Sequence, residues 1–206
     1  MKNIYQLAKD HKSVDSALGY IINNNKSNNA PYHNFYHLCC VAEAAYHMAE
    51  MYCDKPEDRE SLVVAGLFHD FDHSMGRFPD NVNIKMALDG YDLWRTSYEG
   101  ELDDFTIKNC IKITQYPYTI PNAQLQTDIV SLIIRDADMV QCMMPNWTQQ
   151  ALFGLGQEFG KDIFDSVDGQ VKFLLSVEFN TSWMKEKWAE NREQIMSILK
   201  KMQEYR

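Results

Sequence analysis

The sequence predicts an all-α protein, a single-domain helical bundle spanning all 206 residues. Three observations predict it. Apolar residues recur at intervals of three and four rather than two. The stretches between turn signals are mostly of helix length. A hydrophobic content of 45% in a chain of this size supports one sizeable core. The six prolines and nine glycines are scattered, no repeat of fixed period appears, and the polar run "NNNKSNNA" reads as a loop rather than a domain boundary.

Helices are expected over about residues 3–23, 33–53, 57–73, 82–97, 103–116, 122–143 and 147–158, and over most of 170–205. Asp54 with Pro56, Asp80, Asp103 and Asn122 stand where N-caps or first turns belong, while Pro117, Pro145 and Asp168-Gly169 mark stops or turns. In the second helix, His33, His37, Val41, Ala45 and Met48 follow i, i+4 and i+3 steps down the apolar side, so both histidines should point inward. His47 falls off that row and reads as a bystander, as does His11. The third helix carries "LVVAGLFHD", apolar on every side, and should be central with others packed around it. In 122–143 the stripe runs through Ile129, Ile133 and Val140. The late run "MKEKWAENREQ" reads as a solvated helix face laced with ion pairs. Tyr116, Trp147, Phe153 and Trp183 are assigned to packing.

A formal net charge of −9 argues against an extended nucleic-acid footprint, which needs a basic surface to displace counterions. Small anions are still within reach, through a few local cations or a metal. Five cysteines, with Cys39 and Cys40 adjacent, form neither an even disulfide framework nor a metal-finger spacing. The N-terminal stretch has no apolar core suited to a signal peptide, and no apolar run approaches the ~20 residues of a membrane span. No membrane partner is expected, and a cytoplasmic location is. Composition leaves the oligomeric state open.

The chemistry gathers where the apolar run of the third helix ends in "HDFDH". A carboxylate at the end of a buried helix is costly without a positive partner, and no Lys or Arg lies near Asp70 in sequence. A metal would resolve that cost, with His69, Asp70 and His73 on neighbouring faces of one turn and His37 supplied by the preceding helix. A further carboxylate should come from "IVSLIIRDADMVQCMM". Periodicity there places Asp136 nearer the apolar stripe and Asp138 at its opposite edge. Any one of these residues alone would most often be a buried, hydrogen-bonded polar group. Together, on three helices, they favour a metal.

These residues resemble the signature of the HD-domain metal-dependent phosphohydrolases: a His, then a His-Asp doublet, then a distant Asp on separate helices. The resemblance covers about residues 31–140, with helices over 147–205 completing the bundle. More narrowly, "YHNFYH" followed by "FHDFDH" is similar to the Tyr-His-Asn-x-x-His and His-Asp-x-Asp-His motifs of the cyclic-nucleotide phosphodiesterase catalytic domain. The resemblance implies His33 as a general acid, His37, His69 and Asp70 as metal ligands, His73 beside the attacking water, and Asp72 orienting that water or a ligand. "ADMV" is similar to the family's last Ala-Asp-Leu, which implies Asp138 as the final ligand, with Asp136 the alternative. "GQVKFL" is similar to a purine-gripping segment and would give Gln170 and Phe173 a substrate role. Plain helix residues are the competing reading there.

Departures from the family pattern are plain. Lys85 stands in "NIKMAL" where the phosphodiesterases carry a glutamate that supports a second metal, and "ITQYPYT" lacks their histidine. One divalent ion (Mn, Mg, Fe or Zn) is therefore expected, with a second left open. Such a mixed site lowers the pKa of bound water towards ~7 and neutralises phosphoryl charge. The expected function is hydrolysis of a small, nucleotide-like phosphoester, with a phosphodiesterase among the options. The alternatives are a nucleoside mono- or triphosphate hydrolase and a nucleotide-sensing module without turnover.

Overall fold

The computed structural model describes residues 2–118, 124 and 128–206 and is helical throughout, with no strand among those residues. Asn122, expected as an N-cap, and the expected start of its helix lie outside the described residues. No helix among them is long and apolar enough to cross a membrane.

The first expected helix is two. Helix α1 (Ile4–Asp10) is closed by a capping box in which Asn3 and Gln6 satisfy each other's backbone amides, and α2 (Lys12–Asn24) follows after a single extended residue, His11. Nothing in the apolar spacing marks that break, because Ile4, Leu7, Val14, Ala17 and Ile21 are buried on both sides of it. Helix α3 (Phe35–Tyr52) starts two residues later than expected. Asn34 is its N-cap, accepting from the His37 amide, so His33 lies before the helix and off the inner row.

Helix α4 (Pro56–Phe68) begins with Pro at N1, where the missing N–H costs nothing. All residues from Ser61 to Phe68 are buried, and α2, α3, α5, α6 and α7 surround them, as the unbroken apolar run predicts. Gly66 is the point of closest approach to α3, since a Cβ there would lie 2.9 Å from both Cα and N of Ala42. Gly66→Ala should therefore force backbones apart, lowering stability by about 1–3 kcal/mol in denaturant titration. An unchanged midpoint would show that the two helices separate freely.

Beyond α4 come α5 (Asp80–Arg95), α6 (Asp104–Ile113) and α7 (Ile129–Asp138). Asp103 caps α6 through the Thr106 amide, as expected, whereas α5 opens on Pro79 with Asp80 in its first turn. A 3₁₀ turn (Val140–Met143) and a π-helical stretch (Thr148–Gly154) lead into the single turn of α8 (Leu155–Glu158). The pair α9 (Ile163–Ser176) and α10 (Ser182–Glu204) closes the molecule. Asp168-Gly169 is thus not a turn but mid-helix. Asp162 starts α9 early by accepting from the Asp165 amide, and Asp168 instead receives Gln203 of α10 and Arg206 just beyond it. The true break, at residues 177–181, is capped by Thr181.

Of the four aromatics assigned to packing, Trp147 is buried and Trp183 packs against the core. Phe153 and Tyr116 are exposed by 46% and 48%, which corrects their assignment. The ion pair Lys187–Glu190 on α10 shows the solvated face.

Candidate metal centre

Three helices deliver four donor atoms to one point: His37 from the first turn of α3, His69 and Asp70 from the end of α4, and Asp138 from the end of α7. His37 Nε2 lies 3.1 Å from His69 Nε2, 3.2 Å from Asp70 Oδ2 and 3.4 Å from Asp138 Oδ1. His69 Nε2 lies 3.0 Å from Asp70 Oδ2 and 3.3 Å from Asp138 Oδ1. Atoms bound about 2.1 Å from a common centre stand roughly 3.0 Å apart across a right angle and roughly 3.4 Å apart across a tetrahedral one. The spacing therefore fits the edges of a divalent ion's coordination shell.

The outer nitrogens decide what the inner ones present. His69 Nδ1 lies 2.8 Å from the Gly66 carbonyl oxygen, which only accepts, so Nδ1 carries the proton and Nε2 a lone pair. His37 Nδ1 likewise meets the Gln141 Oε1 amide oxygen at 2.9 Å. Two imidazole nitrogens and two carboxylates thus face one another, an arrangement able to hold a cation. Outer hydrogen bonds of this kind orient imidazoles at metal sites.

The electrostatics reflect the same close contacts. Burial opposes charge on His37 and His69, yet the facing Asp138 and Asp70 carboxylates hold both imidazoles above their ordinary pKa. Burial would likewise raise the two acids, but the imidazoles overcome it, leaving Asp70 well below the carboxylate range and Asp138 down to about 2.

Asp136, the alternative ligand, is elsewhere. It accepts from the backbone and side-chain nitrogens of Asn180 and from the amide and hydroxyl of Thr181, all at 2.7–3.1 Å. It ties α7 to the α9–α10 connection and is not part of the cluster. Periodicity favoured Asp136 because its inward face is real, but that face meets the second half of the chain rather than the centre. Its neighbour Arg135 donates to the Ile113 carbonyl and lies over the Tyr118 ring.

The "HDFDH" segment does not continue the helix. It turns after Phe68, with Asp72 at φ 58°, which separates side chains that helical spacing placed together. Asp72 accepts from the Lys26 amide and ammonium at 2.7 and 2.9 Å, while its own amide donates to Asn25. It anchors the 25–28 loop and is not brought to the cluster, contrary to the orienting role expected of it. His73 reaches the neighbourhood, stacked on His33 with ring centroids 3.6 Å apart. Met75 N–H donates to its Nδ1, and Asn83, whose Oδ1 accepts from Ser74 N–H, packs beside Nε2 with Nδ2 2.9 Å away. Burial lowers its pKa to about 4, so it stays neutral.

His33 has a partner that sequence reasoning missed. Its Nδ1 lies 2.5 Å from Glu158 Oε2, and the amides of Tyr32 and His33 donate to Glu158 Oε1 at 2.7 and 2.9 Å. Burial pushes the Glu158 carboxyl up, but the His33 bond and these amides outweigh it and hold the acid below its usual range. His33 Nε2 is left facing the cluster, 3.9 Å from Asp70 Oδ2. His33, His73 and Glu158 are also close enough together to be metal donors, but their hydrogen bonds are spent on one another and on their neighbours. Lys85, in the place of the missing glutamate, pairs with Asp89 on an exposed face.

His33, His73 and Asp138 form one wall of a cavity of about 650 Å³, and the far wall is built by α9. Gln170 and Phe173 both line it, Gln170 only 7% exposed, with Tyr116 edge-on to Phe173. Cys142 also lines it, but burial pushes its thiol up to about 12, which removes it as a nucleophile. His47 sits beside Trp183 and His11 beside Tyr46, where both act in packing. All five cysteines are free.

Comparison with family models, with curated proteins and with solved structures found no match to this chain. The fold and the site thus define an all-helical protein with a His₂Asp₂ group able to hold a metal ion.

Proposed function

We propose that the protein is a metal-dependent phosphohydrolase of the HD type, cleaving a phosphoester bond in a small nucleotide-like substrate. The observation that supports it most is the pairing of two distinct devices beside one cavity, which Asp138 and His33 line. Four metal-type donors converge at His37, His69, Asp70 and Asp138, and a histidine outside that group is held by a buried carboxylate. A divalent ion held by those four residues supplies Lewis-acid chemistry, activating water and neutralising phosphoryl charge.

The protein's own residues do the rest. Glu158 holds His33 through Nδ1, which leaves Nε2 facing the cluster. From there it gives its proton to the leaving oxygen as the ester bond breaks. His73, neutral and stacked on the same ring, limits how far that imidazole can swing. The apolar part of the cavity, with Phe173, Tyr116 and Leu152, excludes water and receives a flat ring, and Gln170 offers an amide to its edge.

The test is turnover of cyclic and linear nucleotides by Mn-loaded protein, with His69→Ala as control. Absence of turnover across the panel would sink the reading. Glu158→Gln should lower kcat by about 10²-fold on an alkyl phosphoester while leaving metal content unchanged. With a p-nitrophenyl leaving group, which needs no proton, the loss should largely vanish. Equal losses on both substrates would place Glu158 in folding rather than proton transfer.

A further inference from the structure

The cavity opposite the metal cluster is not neutral. On a chain of net charge −9, two ammonium groups, Lys161 and Lys172, line the same cavity, and neither takes part in an ion pair among the described residues. Most other lysines that form close contacts pair with aspartate or glutamate on open surface.

Lys161 is placed by its backbone. Its amide donates to the Gly156 carbonyl at 2.9 Å, closing α8, and Gly160 beside it takes the left-handed turn at φ 62° that this closure requires. Its Nζ lies 5.8 Å from the Phe159 ring centroid and 3.8 Å from where a Gly169 Cβ would stand, against the cavity-lining face of α9. Lys172, one turn beyond Gly169, extends that face. Between the lysines lie Ser166, whose hydroxyl donates to the Asp162 carbonyl, and Gln170, both more than nine-tenths buried. Asp80 is the other carboxylate lining the cavity besides Asp138. It is occupied by the Tyr116 amide and Asn83.

We infer that the substrate carries a second anionic group, bound by Lys161 and Lys172 across the cavity from the metal cluster. This rests on the proposed phosphoester reading and narrows it to linear, multiply charged nucleotides, such as nucleoside polyphosphates, over singly charged cyclic ones. Both ammonium groups are exposed, and the Asp168 carboxylate that feels Lys172 is already bonded by Gln203 and Arg206, so a phosphoryl oxygen offers each lysine a charge-assisted hydrogen bond, the strong kind.

Calorimetric titration of the Mn-loaded protein with ADP and with 3′,5′-cyclic AMP tests it. Wild type should bind ADP the more tightly. In the double variant Lys161→Gln/Lys172→Gln, ADP affinity should fall at least about tenfold while cyclic AMP affinity stays within twofold, and Lys187→Gln on α10 should change neither. If ADP fails to bind, or the double variant weakens both ligands equally or neither, the inference is overturned. Metal content and hydrolysis, measured separately on the same proteins, report on the phosphohydrolase reading, so the two can fail independently.

Discussion

Asp138→Asn should abolish stoichiometric binding of a divalent ion, and with it the stabilisation that the ion confers. Asp138 supplies one of four converging donors, and its amide replacement cannot offset the charge of a dication. For wild type, an ion present at a thousandfold excess over its Kd stabilises the fold by about 4 kcal/mol, a rise in Tm of roughly 10 °C for a chain of this length. The variant should show no such rise, measured as the difference between Mn-loaded and chelated samples. Wild-type affinity should also weaken as pH falls. His37 and His69 have raised imidazole pKa values, so a proton competes with the ion over a range extending above that of a free imidazole. A full Mn-dependent rise in the variant would show that the ion binds without Asp138.

Asp136→Ala, two residues away, should do the reverse. It leaves the four donors in place but strips the partners from the Asn180 and Thr181 amides and from the Thr181 hydroxyl, in a buried setting. Removing one side of such a charged network costs about 3–5 kcal/mol, or roughly 10 °C in Tm. The Mn-dependent increment should persist in whatever fraction stays folded. A variant with wild-type Tm would mean that the α9–α10 connection docks without that carboxylate.

This pair also shows what was legible in the sequence and what was not. The central α4 was readable because an apolar run on every side has only one stable location. His37, His69 and Asp70 were readable because their own helices aim them inward. The choice between Asp136 and Asp138 was not open to periodicity, since both point inward, at different targets, and the target of Asp136 lies 44 residues further on. His33 was placed correctly near the cluster for the wrong local reason: it precedes the Asn34 cap and is held from a distance. Asp72 misled because the turn after Phe68 ends the periodicity on which its role depended. Glu158 left no local signal at all. It sits in a four-residue helix after a π-helical stretch, and only folding brings it 125 residues back to His33.

That long return gives chain growth a consequence of its own. All four metal donors have been synthesised once Asp138 is, whereas the carboxylate that orients His33 and the amides that hold Asp136 come later. The residues able to hold an ion and the carboxylate that holds His33 are therefore written in separate stretches of the chain. Only completion of the later stretch joins them.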